Sequence, residues 1–173
     1  MKLLLKVSFR YGIVAGFLSI VLLLTLFYLD RHPFMIAPFL DFRILLFGIL
    51  IFFSLKEFRD YHQDGILYFW QGMIGSAVIV FTALILSSIG LQIFGMAQPD
   101  FVTSYVTQAT TYLKTIPQET IEQIGKENYE RNLKDLSSTN MSMLTITYFI
   151  HGIVIGFFVS IILSVILRKQ PKN

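Results

Sequence analysis

The stretch MSMLTITYFIHGIVIGFFVSIILSVIL, residues 141–167, decides the fold. Its 27 residues contain no Asp, Glu, Lys or Arg, and Arg168 and Lys169 follow it directly. At about 1.5 Å rise per residue, a helix needs roughly 20 residues to cross a hydrocarbon core of about 30 Å. A run this long and apolar predicts a helix that crosses a bilayer and stops where cations meet headgroups. Residues 11–29 repeat the pattern with 19 uncharged positions between Arg10 and Asp30, and residues 65–99 with 35. The last run would overshoot the hydrocarbon as a straight helix. Its span is expected at 66–89, with Gly90, Gly95 and Pro99 as places to bend or stop.

The composition agrees. Hydrophobic residues make up 54% of the 173-residue chain and charged ones 14%, with a mean hydropathy of +0.65. Ordinary soluble domains carry about 25% charged residues. At 19.9 kDa the chain is one small domain, residues 1–173, with no room for a catalytic module beside the apolar segments. Zero cysteines exclude disulfides, thiolate metal sites and cysteine nucleophiles. A net charge of +3 and an isoelectric point near 9.2 would suit nucleic acid. The 14 Lys and Arg residues, however, cluster beside apolar runs instead of lining one polar face, so the partner they indicate is the lipid bilayer, not nucleic acid.

A fourth span is read at 38–56. Only residues 44–55, twelve positions, are free of charge there, a length that also fits a buried core helix. Extension back to Pro38 brings Asp41 and Arg43 into the outermost turns, where an arginine can snorkel to the headgroups. With spans at 9–29, 38–56, 66–89 and 142–167, eight basic and three acidic residues fall on one side, in the N-terminus, the second connection and the tail. The other side carries a net charge of minus two. Basic flanks stay cytoplasmic during insertion, so both termini are expected there. Lys2 and Lys6 ahead of an apolar run resemble a signal peptide. The run exceeds the usual 7–15-residue h-region, however, and residues 27–30, FYLD, lack small residues for cleavage, so the first helix is expected to remain attached.

The connection at 98–140 is too long to be structureless in a compact protein. Phe101, Tyr105, Ala109, Tyr112 and Ile116 fall within about 80° of one another on a helical wheel, predicting an amphipathic helix up to Pro117. Glu119 and Glu122 in a first turn and Lys134 in a last turn predict a second, single helix over 117–136, followed by the polar hinge 137–140. The expected architecture is thus all-α: a four-transmembrane-helix bundle with an extracytoplasmic helical hairpin between its third and fourth members. The aromatic stripe of that hairpin would dock a partner or lie on the bilayer; the commoner role of such a face is packing against the bundle's rim.

In lipid, helices associate through small residues that let backbones approach. Ser8, Gly12 and Gly16 form such a ridge in the first span, Gly72 and Ser76 in the third, and Gly152, Gly156, Ser160 and Ser164 in the fourth. The last ridge predicts a contact with another helix, within the chain or in a homo-oligomer. Ionisable groups inside spans are costly and often functional. Counted from the inner boundary, Asp41 and His151 reach one layer of the outer leaflet, where a carboxylate beside a histidine would relay protons or bind a cation. The plainer alternative makes Asp41 and Arg43 interface markers and gives His151 a hydrogen bond to a neighbouring Ser, Thr or Tyr. Lys56 and Asp60 are spaced for a helical pair, and residues 56–65 read as a tight turn. Tyr61, Tyr68 and Trp70 sit where an aromatic belt belongs.

Motifs of familiar chemistry are absent: no HExxH, no GxSxG, no GxxxxGK[ST] and no GxGxxG. His32, His62 and His151 are scattered over both faces, which argues against a shared metal. Neither an enzyme nor a cofactor is expected. The expected role is a structural or accessory membrane component, with or without a membrane-protein partner. The alternative is a small transporter or ion-coupled protein, which would need a polar cavity lined by Asp41, His151 or Thr82.

Arg10, Tyr11, Gly12 and Gly16, then KEFRDYHQDGILYFWQG, with Arg59, Asp60, Gly65, Phe69 and Gly72, and then His151, Gly152 and the basic C-terminus follow one another along the chain. In these residues the chain resembles, end to end, the bacterial membrane family called domain of unknown function 4199 (DUF4199). It implies a small four-helix protein of the bacterial inner membrane with a periplasmic helical loop before the last span, and no assigned activity or site.

Overall fold

The structure, a computed structural model, describes residues 1–170. It is all-helical, with seven α-helices: α1 (Lys2–Tyr28), α2 (Phe42–His62), α3 (Phe69–Ala97), α4 (Asp100–Lys114), α5 (Gln118–Ile124), α6 (Lys126–Ser137) and α7 (Met141–Leu167). Two 3-10 turns, Pro33–Met35 and Pro38–Leu40, connect α1 to α2. Among the described residues there is no strand, only an isolated antiparallel bridge between Leu67 and Lys169. Three helices, α1, α3 and α7, are long and apolar enough to cross a membrane. The 21-residue α2 is long enough, but it carries Arg43 at one end and Lys56, Glu57, Arg59 and Asp60 at the other.

The four long helices form a ring in the order α1, α3, α7, α2, each packed on its two neighbours. Small residues set the spacing. Cβ atoms built on Gly12 and Gly16 would lie 2.7 Å from Thr82 Cβ and 2.8 Å from Leu86 Cδ2, and one built on Gly90 would lie 2.5 Å from Ile20 Cδ1. The rising numbers on both sides make α1 and α3 parallel. Across the next seam, Gly72 faces Ser164, Val80 faces Gly156 and Leu84 faces Gly152, so α3 and α7 are antiparallel. Both termini of the described chain and the α2–α3 connection share one end, joined by paired Leu67 and Lys169 backbone hydrogen bonds of 2.9 Å. The helices α4, α5 and α6 lie at the opposite end.

Outward, the long helices are apolar. Phe17, Leu45, Ile85 and Phe158 are exposed, on α1, α2, α3 and α7 respectively. In water so continuous an apolar surface would drive aggregation; against lipid it costs nothing.

Several boundaries differ from the sequence reading. Helix α1 starts at Lys2 because Leu4 and Val7 are buried; Leu4 reaches Gly75 on α3. Helix α2 begins at Phe42 rather than 38, because Asp41 caps it, accepting from the Arg43 N–H at 2.9 Å. It then runs to His62, so most of the expected turn at 56–65 is helix. The reversal is confined to the residues around Asp64 (φ 48) and Gly65 (φ 78). Helix α3 continues through Gly90 and Gly95, which seat Ile20 and Met141 instead of bending the chain. The single helix expected over 117–136 is two helices, α5 and α6, broken at Gly125, whose φ of 92 lies in the left-handed region. Part of the stripe on α4 packs on the bundle: Phe101 lies in the core and Tyr105 packs against it, Ala109 is buried, and Tyr112 is exposed.

Candidate functional site: a buried arginine cluster

Arg43 lies in the first turn of α2, and its side chain points into the bundle rather than out to headgroups: the residue is only 4% exposed. This overturns the snorkelling expectation, and the surroundings explain it. Asp41, two residues earlier, receives Nε at 2.9 and 3.0 Å and Nη2 at 2.5 Å, a forked pairing. Nη1 donates to the Tyr148 carbonyl on α7 at 2.8 Å, and the guanidinium lies 4.3 Å from the centre of the Tyr148 ring. One carboxylate therefore caps α2 and neutralises Arg43, so no net charge enters the low-dielectric interior.

Gly152 makes the contact with Tyr148 O possible. In a helix, the side chain four residues on shields a carbonyl; here there is none, and a Cβ at Gly152 would come within 3.0 Å of Arg43 Nη1 and clash with Leu84. The buried Tyr148 hydroxyl lies near Ser19 on α1 and Ser87 on α3 without a hydrogen bond to either, so one layer draws polar groups from all four long helices. Ser87 itself donates to the Ala83 carbonyl at 2.7 Å.

Beside this layer lies a crevice of about 110 Å³, bordered by Asp41, Arg43 and His151 together with Phe34, Tyr105 and Thr147. The three polar residues singled out from the sequence thus meet at one place. Asp41 is engaged by Arg43, however, and His151 is exposed and makes no hydrogen bond among the described residues, against the expected bond to a Ser, Thr or Tyr. Thr82 is not at the crevice; it faces Gly12 in the α1–α3 seam. Of the packing residues, Gly12, Gly16, Gly72, Gly152, Gly156 and Ser160 are all buried, and the Ser160 hydroxyl bonds back to the Gly156 carbonyl at 2.6 Å.

His32, placed from the sequence only in a loop, is 1% exposed and roofs this end. Its ring packs against Phe101 (4.6 Å between centroids) and Tyr105 (5.3 Å). Nδ1 accepts from the Phe34 N–H at 3.3 Å and Nε2 faces the Phe101 carbonyl at 3.1 Å, the donor pattern of a neutral imidazole. Burial lowers its pKa from 6.5 to about 4, opposed in part by the Phe101 bond. The sequence held one signal for this pin, the aromatic residues of 101–105 one connection away. Nothing in it marked Tyr148, Ser19 or Ser87.

No curated protein and no solved structure matches the chain. Residues 10–169 match the family described as "Protein of unknown function (DUF4199)", and that match takes in the arginine cluster, α2, α3, α7 and α1 from Arg10 onward. With nearly its whole length covered, the chain belongs to the DUF4199 family.

Proposed function

We propose that this chain is a four-span integral protein of the bacterial inner membrane, with both termini cytoplasmic and the α4–α6 hairpin outside, and that it serves as a non-catalytic structural or accessory component. The observation that carries the reading is the outward face of α2. Leu45 (70% exposed), Ile49 and Phe53 make it as apolar as the faces of its neighbours, and α2 sits in the ring between α1 and α7. If α1 and α7 are in lipid, so is α2, and the Asp41–Arg43 pair is the means by which its charged end is accommodated. The uneven distribution of Lys and Arg supports the orientation.

A structural role accords with the seams: the α1–α3 and α3–α7 interfaces are closed by glycine contacts, and Thr82 is wedged into one of them. The crevice holding Asp41 and His151 favours a second reading, an ion-coupled transporter. The two separate in proteoliposomes carrying an internal pH dye. A structural component gives no proton or cation flux above empty vesicles, with or without Asp41→Asn. Flux that Asp41→Asn abolishes would establish the transporter instead.

A further inference from the structure

At the end that carries the termini, Glu57 of α2 borders two crevices, one beside Arg10 and one beside Tyr11 of α1. Its carboxylate sits in the seam, accepting from the Tyr11 hydroxyl at 2.8 Å and from Arg10 Nη2 at 2.5 Å. On the Arg10 side the helices leave a crevice of about 410 Å³ bordered by Lys6, Arg10, His62 and Glu57. Glu57 is its only acid, and Arg10 already balances that charge. Lys6 has no acidic partner within 4 Å among the described residues, so the crevice keeps an unmatched positive charge. On the Tyr11 side, by contrast, the larger crevice of about 490 Å³ is bordered by two acids, Glu57 and Asp60, and the single cation Lys56, so it carries no excess of positive charge.

The remaining walls of the smaller crevice are apolar and open outward. Leu3 is 52% and Phe9 54% exposed, and Ile13 continues the strip one turn further along α1. A cationic mouth that runs without a break into an apolar outer surface matches a molecule with an anionic head and hydrocarbon tails. A free anion would use the mouth alone and leave the strip empty.

We propose that the crevice between α1 and α2, bordered by Lys6, Arg10 and His62, holds an anionic phospholipid. The phosphate sits against Lys6 and the unoccupied donors of Arg10, and an acyl chain runs along Phe9 and Ile13. Basic pockets between helices at the cytoplasmic face bind anionic headgroups in this way. The site rests on the membrane reading given above.

The test is native mass spectrometry of the full chain in mild detergent, offered phosphatidylglycerol and phosphatidylcholine with identical acyl chains. One phosphatidylglycerol molecule should be retained in preference, less so as ionic strength rises. Lys6→Gln should weaken it about fivefold, the contribution of one basic residue at an anionic headgroup. Lys126→Gln, an equal charge loss on α6, should leave it unchanged, and excess inorganic phosphate should not displace it. Equal retention of the two lipids, equal effects of the two substitutions, or displacement by inorganic phosphate would each overturn the site. If the chain resists carbonate extraction from membranes but shows no lipid preference, only the lipid site fails; release by carbonate would overturn the membrane reading itself.

Discussion

Gly156→Ala tests the α3–α7 seam with a single methyl group. A Cβ at position 156 would lie 2.5 Å from Val80 Cγ1, 2.7 Å from Cγ2 and 3.2 Å from Cβ, where ordinary carbon contacts are about 3.5–4.0 Å. Val80 cannot turn aside, because a β-branched residue in a helix has one strongly preferred rotamer and both γ carbons are already in the way. The helices must separate locally, and overpacking of this kind costs about 1–3 kcal/mol. Gly48 on α2 is the internal control: a Cβ there meets nothing within 4 Å, so Gly48→Ala adds only the helix propensity of alanine, up to about 1 kcal/mol in favour of the fold. The two variants should therefore differ by about 2 kcal/mol in SDS titrations of the detergent-solubilised chain followed by far-ultraviolet circular dichroism. Removing both γ carbons with Val80→Ala should shrink the cost of Gly156→Ala to within about 0.5 kcal/mol, a coupling expected only of residues in contact. A Gly156→Ala chain as stable as Gly48→Ala, with no coupling to Val80, would refute the seam.

Arg43→Met should destabilise the chain by about 3–5 kcal/mol, since it leaves Asp41 and the Tyr148 carbonyl without their partner. Arg43→Lys should recover little, because an ammonium cannot make the forked pairing; SDS midpoints compare the three chains. His32 binds its proton at about 4 in the folded chain and near 6.5 when unfolded, so the unfolded state takes up protons first. Its contribution is complete above pH 6.5 and is lost as pH falls to about 4, on the order of 3 kcal/mol, and the difference in midpoint between wild type and His32→Phe should follow that window. Gly125→Val forces a branched residue into a φ of 92, at about 1–3 kcal/mol. Hydrogen exchange should quicken across α5 and α6 and leave α3 unchanged.

Three long helices were legible because each has an uncharged run near or beyond membrane length, a property of the chain itself. The ends of α2 were not. Its uncharged run is short, and the charges that follow do not end the helix: Glu57, inside α2, is engaged by Arg10 and Tyr11, 47 and 46 residues away in sequence. Spacing brought out Gly152 and Gly156 as small residues on one face, but which helix they face is tertiary. Asp41, Arg43 and His151 were found by the rarity of charge in apolar segments. The inward turn of Arg43 was not, since it is set by a carbonyl 105 residues distant that is exposed only because position 152 has no side chain. Gly125 was visible in the sequence, yet the acidic first turn and basic last turn around it suit one helix as well as two.

The absence of cysteine permits the most direct test of the central claim, that α2 crosses the membrane with its neighbours. Single cysteines at Arg31, Gln63 and Lys126 can be probed in intact cells with a maleimide that does not cross bilayers. Arg31→Cys and Lys126→Cys should react from outside, and Gln63→Cys only after the inner membrane is permeabilised. Labelling of Gln63→Cys together with Arg31→Cys in intact cells would mean that α2 does not cross, and the four-span account would be wrong.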